Sequence, residues 1–287
     1  VKFRYFKPLT IEEALTLKKV DTENSLFIAG GTDIFLLMKK GIIAPKTLIS
    51  LRNIKDLYGI YDVGNNIVIK SSTPLRDIEL SPIVRCNFPA LYDALIRMAS
   101  IQIRNVGTLG GNICNASPAA DTLSPLLVYE AKIKIIDNTL KESILDLKDF
   151  FIGPKKTLLN QEQLLTEIII KKPSPTTSSA YYKFMKRGAM DLANVGVAVN
   201  LNLNGEIITD AKIGLTTVAP TPIRAFKTEN FLKDKIFSEE ILYQAGEIAK
   251  DECSPITDIR GIDWHKRKVV AVYVRRASLE AFRRLRK

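Results

Sequence analysis

The sequence predicts an α+β protein built as three lobes, and three observations point there. Two glycine pairs, Gly30-Gly31 and Gly110-Gly111, stand about eighty residues apart, each in a turn that follows an apolar run. A stretch rich in proline, serine and threonine, residues 172–179, interrupts the chain beyond its middle. Behind it, strand-like segments come first and helix-like ones follow. At 287 residues and 46% hydrophobic, the chain is large enough to fill two or three cores.

The elements follow in order. Thr10-Ile11-Glu12-Glu13 reads as a capping box, opening a helix to about Lys19. Residues 25–29 read as a buried strand ending at the first glycine turn. A helix over 32–40, stopped by Gly41, and a strand over 47–51 complete a small β/α lobe of about 1–55. The second lobe, about 56–175, opens with strands at 59–63 and 67–71 around the hairpin signal Gly64-Asn65-Asn66. Thr73-Pro74 starts a short helix, with proline at its first position. An amphipathic helix over 89–99, the second glycine turn, a loop over 115–121 and an apolar helix to about Tyr129 come next. Strands at 131–137 and 167–172 close this lobe, so that 1–175 forms one domain. In the second domain, 176–287, strands at 181–185, 195–203 and 207–217 precede helices at 238–250 and 264–286, with Asn204-Gly205 as a hairpin turn.

Composition narrows the function. No apolar run reaches the length of a membrane span, and the amino-terminal residues predict no signal peptide. Cys86, Cys114 and Cys253 are far apart, which disfavours a disulfide framework, a zinc knuckle or an iron–sulfur ligand set and suits a reducing cytoplasm. The net charge of +11 admits nucleic acid or an acidic partner. The one basic cluster, residues 275–287, lacks the alternation with aromatics of a nucleic-acid binder and reads as a solvated helix face. Abundant Lys and Arg, with glutamine only at 102, 161, 163 and 244, lean towards a thermophile.

The glycine turns carry the chemistry. Paired glycines reach positive φ and let backbone approach a ligand, and consecutive N–H groups form an anion-binding nest. Neither turn fits G-x-G-x-x-G, and no P-loop motif occurs. Two nests suit a diphosphate gripped from both sides. Asn112, Asn115, Ser117 and Asp121, short polar groups beyond the second turn, suit ribityl or ribose hydroxyls.

Two motifs carry a resemblance: Ala29-Gly30-Gly31-Thr32-Asp33, and the long run from Ile101-Gln102-Ile103-Arg104-Asn105 through Gly107-Thr108-Leu109-Gly110-Gly111-Asn112 to Asp121. Together they resemble the FAD-binding medium subunit of the xanthine dehydrogenase and carbon monoxide dehydrogenase family of molybdenum hydroxylases. Tyr181-Tyr182-Lys183-Phe184-Met185-Lys186-Arg187 and the stretch from Arg260-Gly261 to Ala277 resemble the family's carboxy-terminal domain, so the likeness spans the whole chain. It extends to archaeal aldehyde (glyceraldehyde) oxidoreductases.

The resemblance implies a two-lobed FAD-binding domain of the vanillyl-alcohol-oxidase (PCMH) type, followed by a C-terminal α+β domain of the carbon monoxide dehydrogenase flavoprotein type. It implies that Phe27, Ile28, Ala29, Gly30, Gly31, Thr32, Asp33 and Ile34, with Thr108, Leu109, Gly110, Gly111 and Asn112, wrap the FAD diphosphate. Ile101, Cys114 and Asn115 would lie along the cofactor, Asp121 would bind a hydroxyl, and Leu165 and Lys183 would lie near the ring system. A lysine there would favour reduced flavin. The single histidine, His265, leaves little room for a histidyl linkage, so FAD is expected to be non-covalent. Molybdopterin and [2Fe-2S] clusters are expected only on a large and a small partner subunit, with this chain as a cytoplasmic electron carrier and an aldehyde as substrate.

Overall fold

A computed structural model of the chain describes residues 2–188 and 190–286. The first lobe runs β1 (Arg4–Phe6), α1 (Ile11–Val20), β2 (Ser25–Ile28), α2 (Ile34–Lys39) and β3 (Thr47–Ser50). The three strands form a parallel sheet of order β1-β3-β2, as β/α crossovers require. Thr10 caps α1 by accepting from the Glu13 N–H, but Glu13 reaches past the cap residue to the Leu9 N–H.

The second lobe begins with the hairpin β4 (Ile60–Val63) and β5 (Asn66–Lys70), turned by Gly64-Asn65. Six short helices follow: α3 (Leu75–Leu80), α4 (Pro82–Asn87), α5 (Pro89–Ile96), α6 (Ile101–Val106), α7 (Leu109–Asn115) and α8 (Leu123–Val128). Then come β6 (Lys132–Ile136), β7 (Glu142–Asp146), the small hairpin β8 (Phe151–Gly153) and β9 (Lys156–Thr157), and β10 (Leu164–Lys171). An antiparallel sheet of order β4-β5-β10-β6-β7 backs the helices, and Ile67, Ile69, Ile133, Ile168 and Ile170 point from it into one core with Phe88, Leu91 and Leu126.

The chain then forms β11 (Thr177–Phe184), β12 (Val195–Asn204), β13 (Ile207–Thr216) and β14 (Ile223–Arg224), an antiparallel meander. The helices α9 (Phe226–Leu232), α10 (Glu239–Asp251) and the 23-residue α11 (Asp263–Leu285) cover it. Its core joins Val197, Val199, Ile213 and Leu215 of the sheet to Leu242, Val270 and Val274 of the helices.

Three expectations need correction. Gly110 and Gly111 do not form a turn of positive φ; they lie in the first turn of α7, because Thr108 caps that helix by accepting the Gly111 N–H. Pro74 is the cap residue of α3 rather than its first helical residue, and Thr73 bonds the backbone of Gly59 instead. The expected linker is shorter, since Thr177, Ser178 and Ser179 already pair with β12. The basic end of α11 is solvated at Arg276, Arg283 and Arg286, whereas Arg284 pairs with Asp93 and Glu280 and donates to the Ser179 carbonyl. No described helix is long and apolar enough to cross a membrane.

Candidate functional site

The two glycine motifs, far apart in sequence, face each other across one cavity of about 530 Å³. That volume is in the range of small-molecule sites. On one side, β2 ends at Ile28 and the chain turns through Ala29 to Asp33 before α2 begins. Gly31 takes φ +76°, which a residue with a Cβ rarely adopts. Among the described residues, no group accepts a hydrogen bond from the N–H of Gly30, Gly31, Thr32 or Asp33. Four consecutive donors are thus left free at the cavity wall. Unpaired donors are costly unless water or a ligand meets them.

On the other side, α7 presents its first turn. The Gly110 N–H donates to the Ser71 carbonyl (2.9 Å), and that of Gly111 to Thr108 Oγ1 (3.1 Å). A Cβ on Gly110 would stand 2.6 Å from the Ser71 carbonyl oxygen, so glycine is needed there for close approach rather than for φ. Gly30 is the counterpart: a Cβ on it would stand 2.0 Å from the Val106 carbonyl oxygen. The two lobes therefore touch through glycine backbone, and they are strapped a second time where Asn115 Nδ2 donates to Asp33 Oδ1 at 2.9 Å.

Of the residues expected to hold a cofactor, Phe27, Ala29, Gly30, Gly31, Thr32, Asp33, Ile34, Thr108, Gly110, Gly111, Asn112, Cys114, Asn115, Asp121 and Leu165 line this cavity. Ile28 and Leu109 point away, into apolar cores. Ile101 is half exposed on α6, outside the cavity wall. Lys183 stands behind Asp121. Its ammonium, fully buried, meets Asp121 Oδ2 at 2.8 Å and the Arg97 carbonyl at 3.1 Å. Tyr181 donates to the other oxygen, Oδ1, at 2.7 Å. Burial raises the Asp121 pKa, although Lys183 and Tyr181 both favour its ionised form. Burial also pushes the Cys114 thiol up to about 12, so Cys114 meets the cavity as a neutral thiol. His265 packs its ring against Phe184, far in sequence from both motifs.

Other wall residues carried no local signal. Ser71, Leu75, Met98, Leu159, Gln163, Met190, Asp191 and Leu192 reach the cavity only because the sheet and helices bring them there. Arg104, a neighbour of the second motif in sequence, binds no open space. It is buried, pairs with Glu79 (2.7 Å), and donates to the carbonyls of Met98 (2.6 Å) and Ala99 (3.2 Å). It fixes a tight turn in which Ala99 takes φ +46°, and both turn residues form cavity wall. Among the described residues no cluster of metal-ligating side chains occurs.

A cavity with free backbone donors, glycine walls and short polar groups matches what comparison with known proteins shows. The family described as the FAD binding domain in molybdopterin dehydrogenase matches residues 1–173. The chain belongs to that family. The C-terminal domain of the carbon monoxide dehydrogenase flavoprotein matches residues 180–281 of this family member. The carbon monoxide dehydrogenase medium chain of Hydrogenophaga pseudoflava is 31% identical, over 99% of this chain and 98% of its own length. The glyceraldehyde dehydrogenase medium chain of Sulfolobus acidocaldarius is 29% identical, over 97% and 98%. Among solved structures, the carbon monoxide dehydrogenase from Hydrogenophaga pseudoflava that lacks the Mo-pyranopterin moiety superposes with a TM-score of 0.95 at 32% identity, covering 99% of this chain and 98% of that one. The fold is an FAD-binding domain followed by the flavoprotein C-terminal domain.

Proposed function

We propose that this chain holds FAD non-covalently in the cavity and carries electrons within a heteromeric molybdenum hydroxylase. It takes them from [2Fe-2S] clusters of a small partner subunit and delivers them to an external acceptor. A large partner subunit binds molybdopterin and oxidises the substrate, which the likeness to a glyceraldehyde dehydrogenase medium chain suggests is an aldehyde. The carrying observation is the set of free N–H groups on Gly30, Gly31, Thr32 and Asp33, opposite α7. Such donors fit the two phosphates of FAD, while Leu75, Met98 and Leu165 offer an apolar surface to a flat ring.

When bound, FAD would supply a centre that collects single electrons from the clusters and can hand them on singly or in pairs. The chain's own residues bind and orient it. Asp33, Asn112, Asn115 and Asp121 stand where hydroxyls can donate to them, and Met190 and Leu192, both exposed, add apolar surface at the cavity wall. We place the domain boundary at 175/176, where β10 has ended and β11 has not begun. We read the assembly as a cytoplasmic heterotrimer working at elevated temperature.

The test uses the purified full chain loaded with FAD under anaerobic conditions. Mixed with aldehydes and purines alone, its flavin should stay oxidised; with the two partner chains added, an aldehyde should bleach it. Bleaching by the chain alone at a useful rate would refute the carrier role and favour a stand-alone flavin oxidoreductase. A colourless chain would refute both.

A further inference from the structure

Tyr181 is a buried side chain to which the sequence gives no role, yet it touches the candidate site. It lies in β11 two residues before Lys183, so both side chains project from one face of the strand. They take one oxygen each of the Asp121 carboxylate, Tyr181 at 2.7 Å and Lys183 at 2.8 Å. Across the ladder, Lys183 pairs with Gly196 of β12. A Cβ at 196 would stand 2.8 Å from the Tyr181 hydroxyl oxygen and 2.3 Å from Thr216 Oγ1, so only glycine leaves the hydroxyl its place. The backbone is pinned too, since the Tyr181 N–H donates to Asp93 Oδ2 at 3.2 Å, and Asp93 is held by Arg284.

On the reading of this cavity as an FAD site, we propose that Tyr181 is a positioning residue for the cofactor. From the gap that Gly196 leaves open, its hydroxyl holds one oxygen of the Asp121 carboxylate at the cavity wall and favours its ionised form. Burial opposes charge on Asp121, and Lys183 and Tyr181 offset it from one oxygen each. The charged and titratable groups around the carboxylate come from three elements. Tyr181 and Lys183 lie on β11, Arg97 acts on Tyr181 from the end of α5, and Asp191 acts on Lys183 from the loop after β11. The tyrosine itself stays protonated, its pKa raised well above the usual value by burial and by Asp121.

The test is the pH dependence of FAD binding to the full chain, read by quenching of flavin fluorescence, in the wild type and in Tyr181→Phe. Loss of the hydroxyl removes a hydrogen bond to the charged form, so affinity should fall away on acidification at a midpoint about one pH unit higher. Tyr129→Phe is the control. Tyr129 is also buried, but its hydroxyl serves Ser179 and the Ala90 N–H, so its loss should lower Tm without moving that midpoint. If Tyr181→Phe does not fold, replacing Tyr181 by a fluorinated tyrosine, a stronger donor of the same shape, should move the midpoint down. An unmoved midpoint in the variant that binds FAD overturns the proposal. A wild type that binds no FAD at any pH overturns the site reading instead.

Discussion

The adjacent residues Gly110 and Gly111 should respond to alanine in opposite ways. At Gly110 the new methyl would meet Ser71 at 2.6 Å from both its carbonyl oxygen and its Cβ, and at 3.0 Å from its Cα. Ser71 cannot simply step aside. Its N–H donates to the Thr166 carbonyl, and its carbonyl receives the Gly110 N–H. Overpacking of this kind costs about 1–3 kcal/mol. At Gly111 the methyl would meet only Thr108 Oγ1, at 2.9 Å. Alanine in a helix gains about 1 kcal/mol over glycine, and disturbing the Thr108 cap costs about 1, so the two terms offset. That methyl would stand on the cavity wall where a cofactor must approach. Urea unfolding of the apo chain and flavin fluorescence titration separate the two effects. Gly110→Ala should lose stability by about 2 kcal/mol. Gly111→Ala should unfold within about 1 kcal/mol of the wild type yet bind FAD at least tenfold more weakly, a deficit of about 1.4 kcal/mol. Wild-type FAD affinity in Gly111→Ala, or wild-type stability in Gly110→Ala, would refute the assignment of the cavity wall.

Lys183→Met should cost about 3–5 kcal/mol in urea unfolding at neutral pH, because it strands the buried Asp121 carboxylate. The loss should shrink on acidification, as Asp121 takes up a proton, and in the double variant with Asp121→Asn; an additive double variant would refute the coupling. A third prediction concerns the loop over 254–262, whose Asp258 is held by Arg260 (2.5 Å) and Lys266 (3.0 Å). Those partners lower the Asp258 pKa to about 2, so its contribution is present above the unfolded pKa of about 4 and is lost as pH falls towards 2. It amounts to at most about 2 kcal/mol, and Asp258→Asn should flatten the fall in stability over that range; an unchanged slope would refute it.

The sequence made the local steps legible and hid the tertiary ones. β2, β3 and the β12–β13 hairpin are short apolar or alternating runs ended by Gly, Asn or Asp, and these formed within a residue or two of expectation. What was hidden has a physical reason in each case. β7, β8, β9 and β14 are short or polar, and they are strands only because a neighbour supplies the ladder. The helix α9 carries no hydroxyl cap and is held by the Glu252 carboxylate, which accepts from the Lys227 and Thr228 N–H groups from more than twenty residues away.

The glycines show the same limit at the site itself. Read alone, Gly30, Gly31, Gly110 and Gly111 look alike, and freedom at positive φ seems the common reason for all four. Only Gly31 uses that freedom. Gly30 and Gly110 are required by close contacts with Val106 and Ser71, whereas a Cβ on Gly111 would meet only Thr108 Oγ1. Lys183 shows the limit in charge. Sequence resemblance places a lone cation near the cofactor, whereas the structure pairs it with Asp121 at 2.8 Å. A paired ammonium and carboxylate present a dipole rather than a net charge. The electrostatic influence of β11 on a bound flavin therefore depends on how the Asp121 carboxylate is oriented, and that orientation is set by Tyr181 as much as by Lys183.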